Sequence, residues 1–266
     1  MCKLLALPPR FVAVVLISGS VALGAGIPAR LVSADANNTQ NVQQTEVQLP
    51  GTPTATTGGT ANSGAAIALA NAIVHQINVQ VAAGNQQAIA NSSQTATNNA
   101  DVTQTSAAST GDTTGSNGGM ASSGTATAAT TAIILQLNIQ IMALLSPDCV
   151  VNQVASNDAG VGQTAVAASG EATADGMGST AASGRASAWN RALIIQRNIQ
   201  VYVCTGHGDA TEAGSQQAVN DFAQEQVAIA LTGAADASGD STAGSGRAAA
   251  RLRDSIRQTN RQIVVN

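Results

Sequence analysis

Residues 184–200 read Gly184-Arg185-Ala186-Ser187-Ala188-Trp189-Asn190-Arg191-Ala192-Leu193-Ile194-Ile195-Gln196-Arg197-Asn198-Ile199-Gln200. The even positions carry only small, aliphatic or amide side chains. The odd positions carry arginine, tryptophan, serine and aliphatics without order. A period of two is the mark of extended chain with one specified face. On an α-helix alternate residues stand about 200° apart, and the same set would scatter around the circumference. The stretch is read as strand.

It recurs. Four copies close on Gln-x-Asn-x-Gln: Gln76/Asn78/Gln80, Gln136/Asn138/Gln140, Gln196/Asn198/Gln200 and Gln258/Asn260/Gln262, spaced by 60, 60 and 62 residues. The even positions also match, with Gly124, Ala126, Ala128, Thr130, Ala132 and Ile134 in copy two and Gly64, Ala66, Ala68, Ala70, Ala72 and Val74 in copy one. Upstream, Asn38, Asn98, Asn157 and Asn220 each lie six residues before Gln44, Gln104, Gln163 and Gln226. Seven residues further stand Gly51, Gly111, Gly170 and Gly233. Gln94, Gln153 and Gln216 precede three of the asparagines by four. Length varies mainly after Gln-x-Asn-x-Gln, where a surface connection tolerates insertion. A repeat with fixed offsets decides architecture before any single residue decides chemistry.

Charge tests the face assignment. All eight arginines beyond residue 36 (185, 191, 197, 247, 251, 253, 257 and 261) occupy odd positions of these stretches. Unpaired guanidinium is costly to bury, so the odd face is expected to be wet and the even face turned inward. Asp254 breaks the rule on the even face of the last copy, as suits a terminal repeat that caps the stack. The same copy leaves a helix open: Leu252 and Ile256 are four apart, as are Arg253, Arg257 and Arg261, and alanine favours helix.

Aromatics make up 2% of the chain, so a core of large side chains is not available. Alanine-lined sheets in close approach are the alternative. Inward Gln and Asn are tolerable only if every donor and acceptor is used. Stacking the same amide in successive copies does this, each donating to one side and accepting from the other. A 17-residue alternation exceeds the usual strand of about 5–6 residues. It is expected to bend or divide at arcs.

Residues 1–36 read as a secretory signal peptide: Lys3 and Arg10, an apolar run from Phe11 to Gly26, then the small-residue region Val32-Ser33-Ala34-Asp35-Ala36. Residues 37–266 form one repeat domain, with units of about 37–93, 94–152, 153–215 and 216–266. Cleavage after Ala36 takes the formal charge from −4 to −6, leaving eight arginines against fourteen acids. The apolar run is shorter than the ~20 residues of a spanning helix, and no later segment is long enough to span. Leu49-Pro50-Gly51-Thr52-Pro53 has the look of a sortase signal but ends in proline with no apolar tail after it, and reads as a turn. Cys149 and Cys204 lie in equivalent loops of neighbouring copies. In an exported protein they suggest one disulfide joining repeats two and three. Metal binding through Cys204, His207 and Asp209 is the rival; the cluster occurs in one copy and is poor in strong ligands. No metal or cofactor is expected.

The two histidines, His75 and His207, stand in unrelated settings, so no Ser/His/Asp arrangement can be drawn. Asp112, Glu171, Asp175, Asp236 and Asp240 cluster near glycine turns, where they could mimic the carboxylates of β-helical glycosidases. Their offsets differ between copies, and Asp is common in turns. No phosphate loop or dinucleotide fingerprint is present, and nothing points to nucleic acid.

Asn190-x-Ala192-x-x-x-Gln196 after Ser183-Gly184 resembles part of the curlin repeat of curli fibres, exported β-solenoid subunits with Gln/Asn ladders. The Ser/Gly-x-Ala alternation of Ser179 to Ala188 is similar to head repeats of trimeric adhesins. These resemblances imply an exported β-repeat surface protein. The expectation is an all-β, four-repeat β-solenoid or β-helix-like array. Its role would be that of a non-enzymatic surface coat, fibre subunit or adhesin, with self-association or envelope polysaccharide as partner. The alternative is a carbohydrate-binding or polysaccharide-modifying β-helix.

Overall fold

The computed structural model of the chain describes residues 10–24, 32–85, 92–145, 150–204 and 213–265. All of its regular structure is strand, and every strand pairing is parallel. A first strand, β1 (Arg10–Gly24), precedes four coils of one design. Coil one is β2 (Val32–Gln48), β3 (Thr54–Ala55), β4 (Thr60–Asn62) and β5 (Ala66–Asn85). Coil two is β6 (Ser92–Ser109), β7 (Thr113–Ser116), β8 (Met120–Ser122) and β9 (Ala126–Leu145). Coil three is β10 (Val150–Ala168), β11 (Ala172–Asp175), β12 (Thr180–Ala182) and β13 (Ala186–Cys204). Coil four is β14 (Ala213–Leu231), β15 (Ala235–Ser238), β16 (Thr242–Gly244) and β17 (Ala248–Val265).

Equivalent strands stack into four sheets. Sheet A is β1-β5-β9-β13-β17, sheet B is β2-β6-β10-β14, sheet C is β3-β7-β11-β15 and sheet D is β4-β8-β12-β16. The chain therefore winds as a β-solenoid of about 60 residues per coil. Sheets A and B face each other, and C and D close one side.

Register is as the repeat demands: Gln76, Gln136, Gln196 and Gln258 are direct neighbours across sheet A, as are Asn38, Asn98, Asn157 and Asn220 across sheet B. From Ala66 to Ala83, Ala126 to Leu144 and Ala186 to Cys204 the even residues are buried, and the odd ones are partly or fully exposed apart from Ala129. Arg185, Arg191 and Arg197 all face solvent.

Two alternatives that the sequence leaves open are closed. The long alternating segments are not divided: β5 and β9 each run unbroken for 20 residues. Strands of this length need a sheet with little twist, which stacked side-chain ladders favour. The last copy is not helical either, because β17 pairs with β13 along its whole length from Ala248 to Val265. There the tertiary pairing overrides the intrinsic preference of alanine. Strand boundaries also differ slightly from the repeat units, β6, β10 and β14 starting two or three residues before 94, 153 and 216. Within the segment read as a leader, β1 pairs with β5 from Arg10↔Ala70 to Gly24↔Gly84, and β2 begins at Val32.

The core tapers. Near the corners it is nearly all alanine (Ala66, Ala68, Ala126, Ala128, Ala165, Ala186 and Ala188 among them), which lets sheets A and B approach closely. Its middle holds Val74, Val102, Ile134, Val161 and Ile194. Towards the ends of β5, β9 and β13 a cluster of Ala82, Met142, Leu144, Val151, Tyr202 and Cys204 is buried. Among the described residues no helix is long and apolar enough to cross a membrane.

Candidate functional site

The specified residues of the repeat converge on one object, a set of amide columns running the length of the core. Gln136 donates through Nε2 to Gln76 Oε1 at 2.8 Å, Gln196 to Gln136 at 2.9 Å and Gln258 to Gln196 at 2.7 Å. Gln80, Gln140, Gln200 and Gln262 form a second column at 2.8–3.0 Å. In sheet B, Gln44, Gln104, Gln163 and Gln226 form a third, and Gln94, Gln153 and Gln216 a fourth. In all four the later residue donates to the earlier one.

The asparagine columns run the other way. Asn78 donates to Asn138, Asn138 to Asn198 and Asn198 to Asn260, at 2.9–3.0 Å. Asn38, Asn98, Asn157 and Asn220 do the same in sheet B. The two columns also bond each other, with Asn38 donating to Asn78, Asn98 to Asn138 and Asn157 to Asn198, each at 2.8 Å. A continuous double ladder thus occupies the middle of the solenoid.

Sequence reasoning placed the columns and missed their second set of bonds. Gln76, Gln136 and Gln196 each give an N–H to a backbone carbonyl of the facing strand: Asn99 at 2.7 Å, Asp158 at 2.6 Å and Asp221 at 2.6 Å. Asn78, Asn138 and Asn198 donate likewise to Thr97, Ser156 and Val219, each at 2.9 Å. A carbonyl has two lone pairs, and one serves the sheet while the other serves the amide. Sheets A and B are therefore tied by hydrogen bonds where large apolar side chains are lacking. Period-two patterning shows which residues point inward and is silent on what lies opposite.

The corners follow the same logic. A Cβ on Gly124 would collide with the Gly64 carbonyl, one on Gly184 with that of Gly124, and one on Gly246 with that of Gly184. The serine before each of these glycines supports the next coil: Gly124 N donates to Ser63 Oγ, Gly184 N to Ser123 Oγ and Gly246 N to Ser183 Oγ, at 2.6–2.8 Å. The recurring Ser-Gly pair carried that signal in the sequence. Leu49-Pro50-Gly51-Thr52-Pro53 lies in the connection from β2 to β3.

Two of the candidate acids, Asp112 and Asp175, accept hydrogen bonds from the neighbouring coil through their carboxylates. Asp112 Oδ1 accepts from the Glu171 backbone N at 2.8 Å, and the Asp175 carbonyl accepts from Asn117 N and Ser179 Oγ. These are turn bonds between or within coils. A shallow groove of about 440 Å³ lies on the outer face of sheet A, lined by His75, Ile77, Leu135, Leu137, Arg197 and Arg257. Cys204 is buried at the end of β13; Cys149 lies outside the described residues, as do His207 and Asp209 of the rival metal cluster. Among the described residues no group of three or more His, Cys, Asp or Glu is arranged to hold a metal ion.

The arrangement performs stacking: each coil offers the next a matched row of amides, glycines and serines. No family model matches the chain, and neither does any curated protein or solved structure.

Proposed function

We propose that the chain is an exported structural protein of the cell surface, a rigid rod-like subunit of a coat, fibre or adhesin. The observation that carries this reading is the columns themselves, in which the residues held constant from copy to copy are those that join one coil to the next. The leader-like composition of residues 1–36 supports export. Export in turn favours a disulfide between Cys149 and Cys204, which would link coils two and three.

The test is location and processing. Immunodetection in native cells, with N-terminal sequencing of the product, is expected to find the protein on the surface or in the medium, starting near Asn37. Retention inside the cell with residues 1–36 attached would overturn it. Cleavage of an envelope polysaccharide that is abolished by replacing Asp175 and Asp236 would put the polysaccharide-modifying reading in its place.

A further inference from the structure

The two ends of the solenoid are unlike the middle and match each other. At the first rung of the third glutamine column Gln44 accepts from Gln104, while its own Nε2 is shielded from solvent and has no hydrogen-bond partner. At the last rung Gln226 donates to Gln163, while its Oε1 is shielded and has no partner. One end presents an unused donor and the other an unused acceptor of the same column. Buried amide atoms left in this condition are costly, and a partner that completes both is favoured.

The other columns line up at the same ends. Extending the register by one rung sets β14 on β2, with Asn220 against Asn38 and Gln226 against Gln44. It sets β17 on β5, with Gln258, Asn260 and Gln262 against Gln76, Asn78 and Gln80. Coil four now holds its inward apolar side chains open to solvent, Leu252 at 54% and Val264 at 55%. In that register they meet Ala70 and Ala82, large against small.

The place is already taken in the full chain. Sheet A has five strands where the other sheets have four, and the extra strand is β1. Every coil ends in sheet A before the next begins in sheet B. β1 therefore stands where the last strand of a preceding coil would stand.

We propose that a second copy of this chain docks head to tail, β17 on β5 and β14 on β2, and that β1 blocks this joint until residues 10–24 are released. The inference rests on the reading of the chain as an exported stacking subunit. One column is mismatched: Asp254 falls against Ala72. The joint buries that carboxylate, which holds the affinity down.

The test uses the full chain with a protease site inserted between β1 and β2, within residues 25–31. Sedimentation and electron microscopy before and after cutting read the association. The uncut protein is expected to remain a single copy and the cut protein to form end-to-end stacks, longer still with Asp254→Asn. Gln44→Glu keeps the acceptor for Gln104 but sets oxygen against Gln226 Oε1, and should weaken stacking roughly tenfold or more. Gln226→Lys in the same chain supplies a donor and should restore it, which separates loss of the joint from loss of folding. Equal stacking of cut and uncut protein, or stacking indifferent to Gln44→Glu, would overturn the proposal. Surface location of the native protein is measured separately, so the joint can fail while the proposed function stands.

Discussion

Asn98 and Asn138 face each other across the core, Asn98 Nδ2 donating to Asn138 Oδ1 at 2.8 Å. Asn138 also accepts from Asn78 and donates to Ser156 O, Asn157 Oδ1 and Asn198 Oδ1. Asn138→Asp removes every one of those donations and buries a charge. A buried charge left without a compensating partner costs about 3–5 kcal/mol, and thermal unfolding should show a loss of that order. Asn260→Asp, on the exposed final rung, should cost well under half as much.

Face assignment is tested by neighbouring pairs. Ala126 and Ala188 are fully buried, while Thr127 and Ser187 are half-exposed on the same strands. Ala126→Asp and Ala188→Asp should abolish the folded state by circular dichroism, because an unpaired carboxylate would lie against alanine. Thr127→Asp and Ser187→Asp should change stability by only about 0.5 kcal/mol.

Glycines divide into two kinds with opposite outcomes. Gly184→Ala drives a methyl into the Gly124 carbonyl, so the corner must open, at roughly 1–3 kcal/mol or more. At Gly162 the nearest atom to a new Cβ is Thr103 Oγ1 at 3.9 Å, an ordinary contact. Gly162→Ala should stabilise the chain by about 0.5–1 kcal/mol in denaturant titration.

Stability should vary along the axis. Each coil contacts only its neighbours, so an end coil has one interface where a middle coil has two. The residues of β17 are nearly all exposed, whereas β9 and β13 are covered on both edges. Hydrogen exchange is expected to be slowest in β9 and β13 and fastest in β17, and uniform protection would contradict the additive picture.

The proposed disulfide has its own readout. Mass spectrometry of the protein recovered from native cells without reductant should find Cys149 and Cys204 closed to alkylation. Replacing both by alanine should lower stability by about 4 kcal/mol on the loop-closure model.

Much of this architecture was legible beforehand, and the reason is the period of two. Parity around Gln196 and Asn198, with arginines confined to the opposite parity, gave both the strands and their inward face. The sixty-residue spacing gave the coil. The undivided length of β5 was not legible, because ordinary strand statistics come from twisted sheets without amide columns. Nor was the bond from Gln136 to the Asp158 carbonyl, since a linear pattern holds no information on which backbone faces an inward side chain. The helical alternative over Leu252 and Ile256 is closed by the pairing of β17 on β13, which local preference does not contain.

The opposed directions of the glutamine and asparagine columns bear on the electric field at the two ends of the solenoid. Aligned amides add head to tail, as peptide units do in a helix, where they sum to about half an elementary charge at each terminus. Asparagine columns oriented against the glutamine ones subtract from that sum, so the stacked coils accumulate less field at their ends. In the proposed head-to-tail stack, the fit of the subunit ends would then matter more than electrostatic strain along the axis.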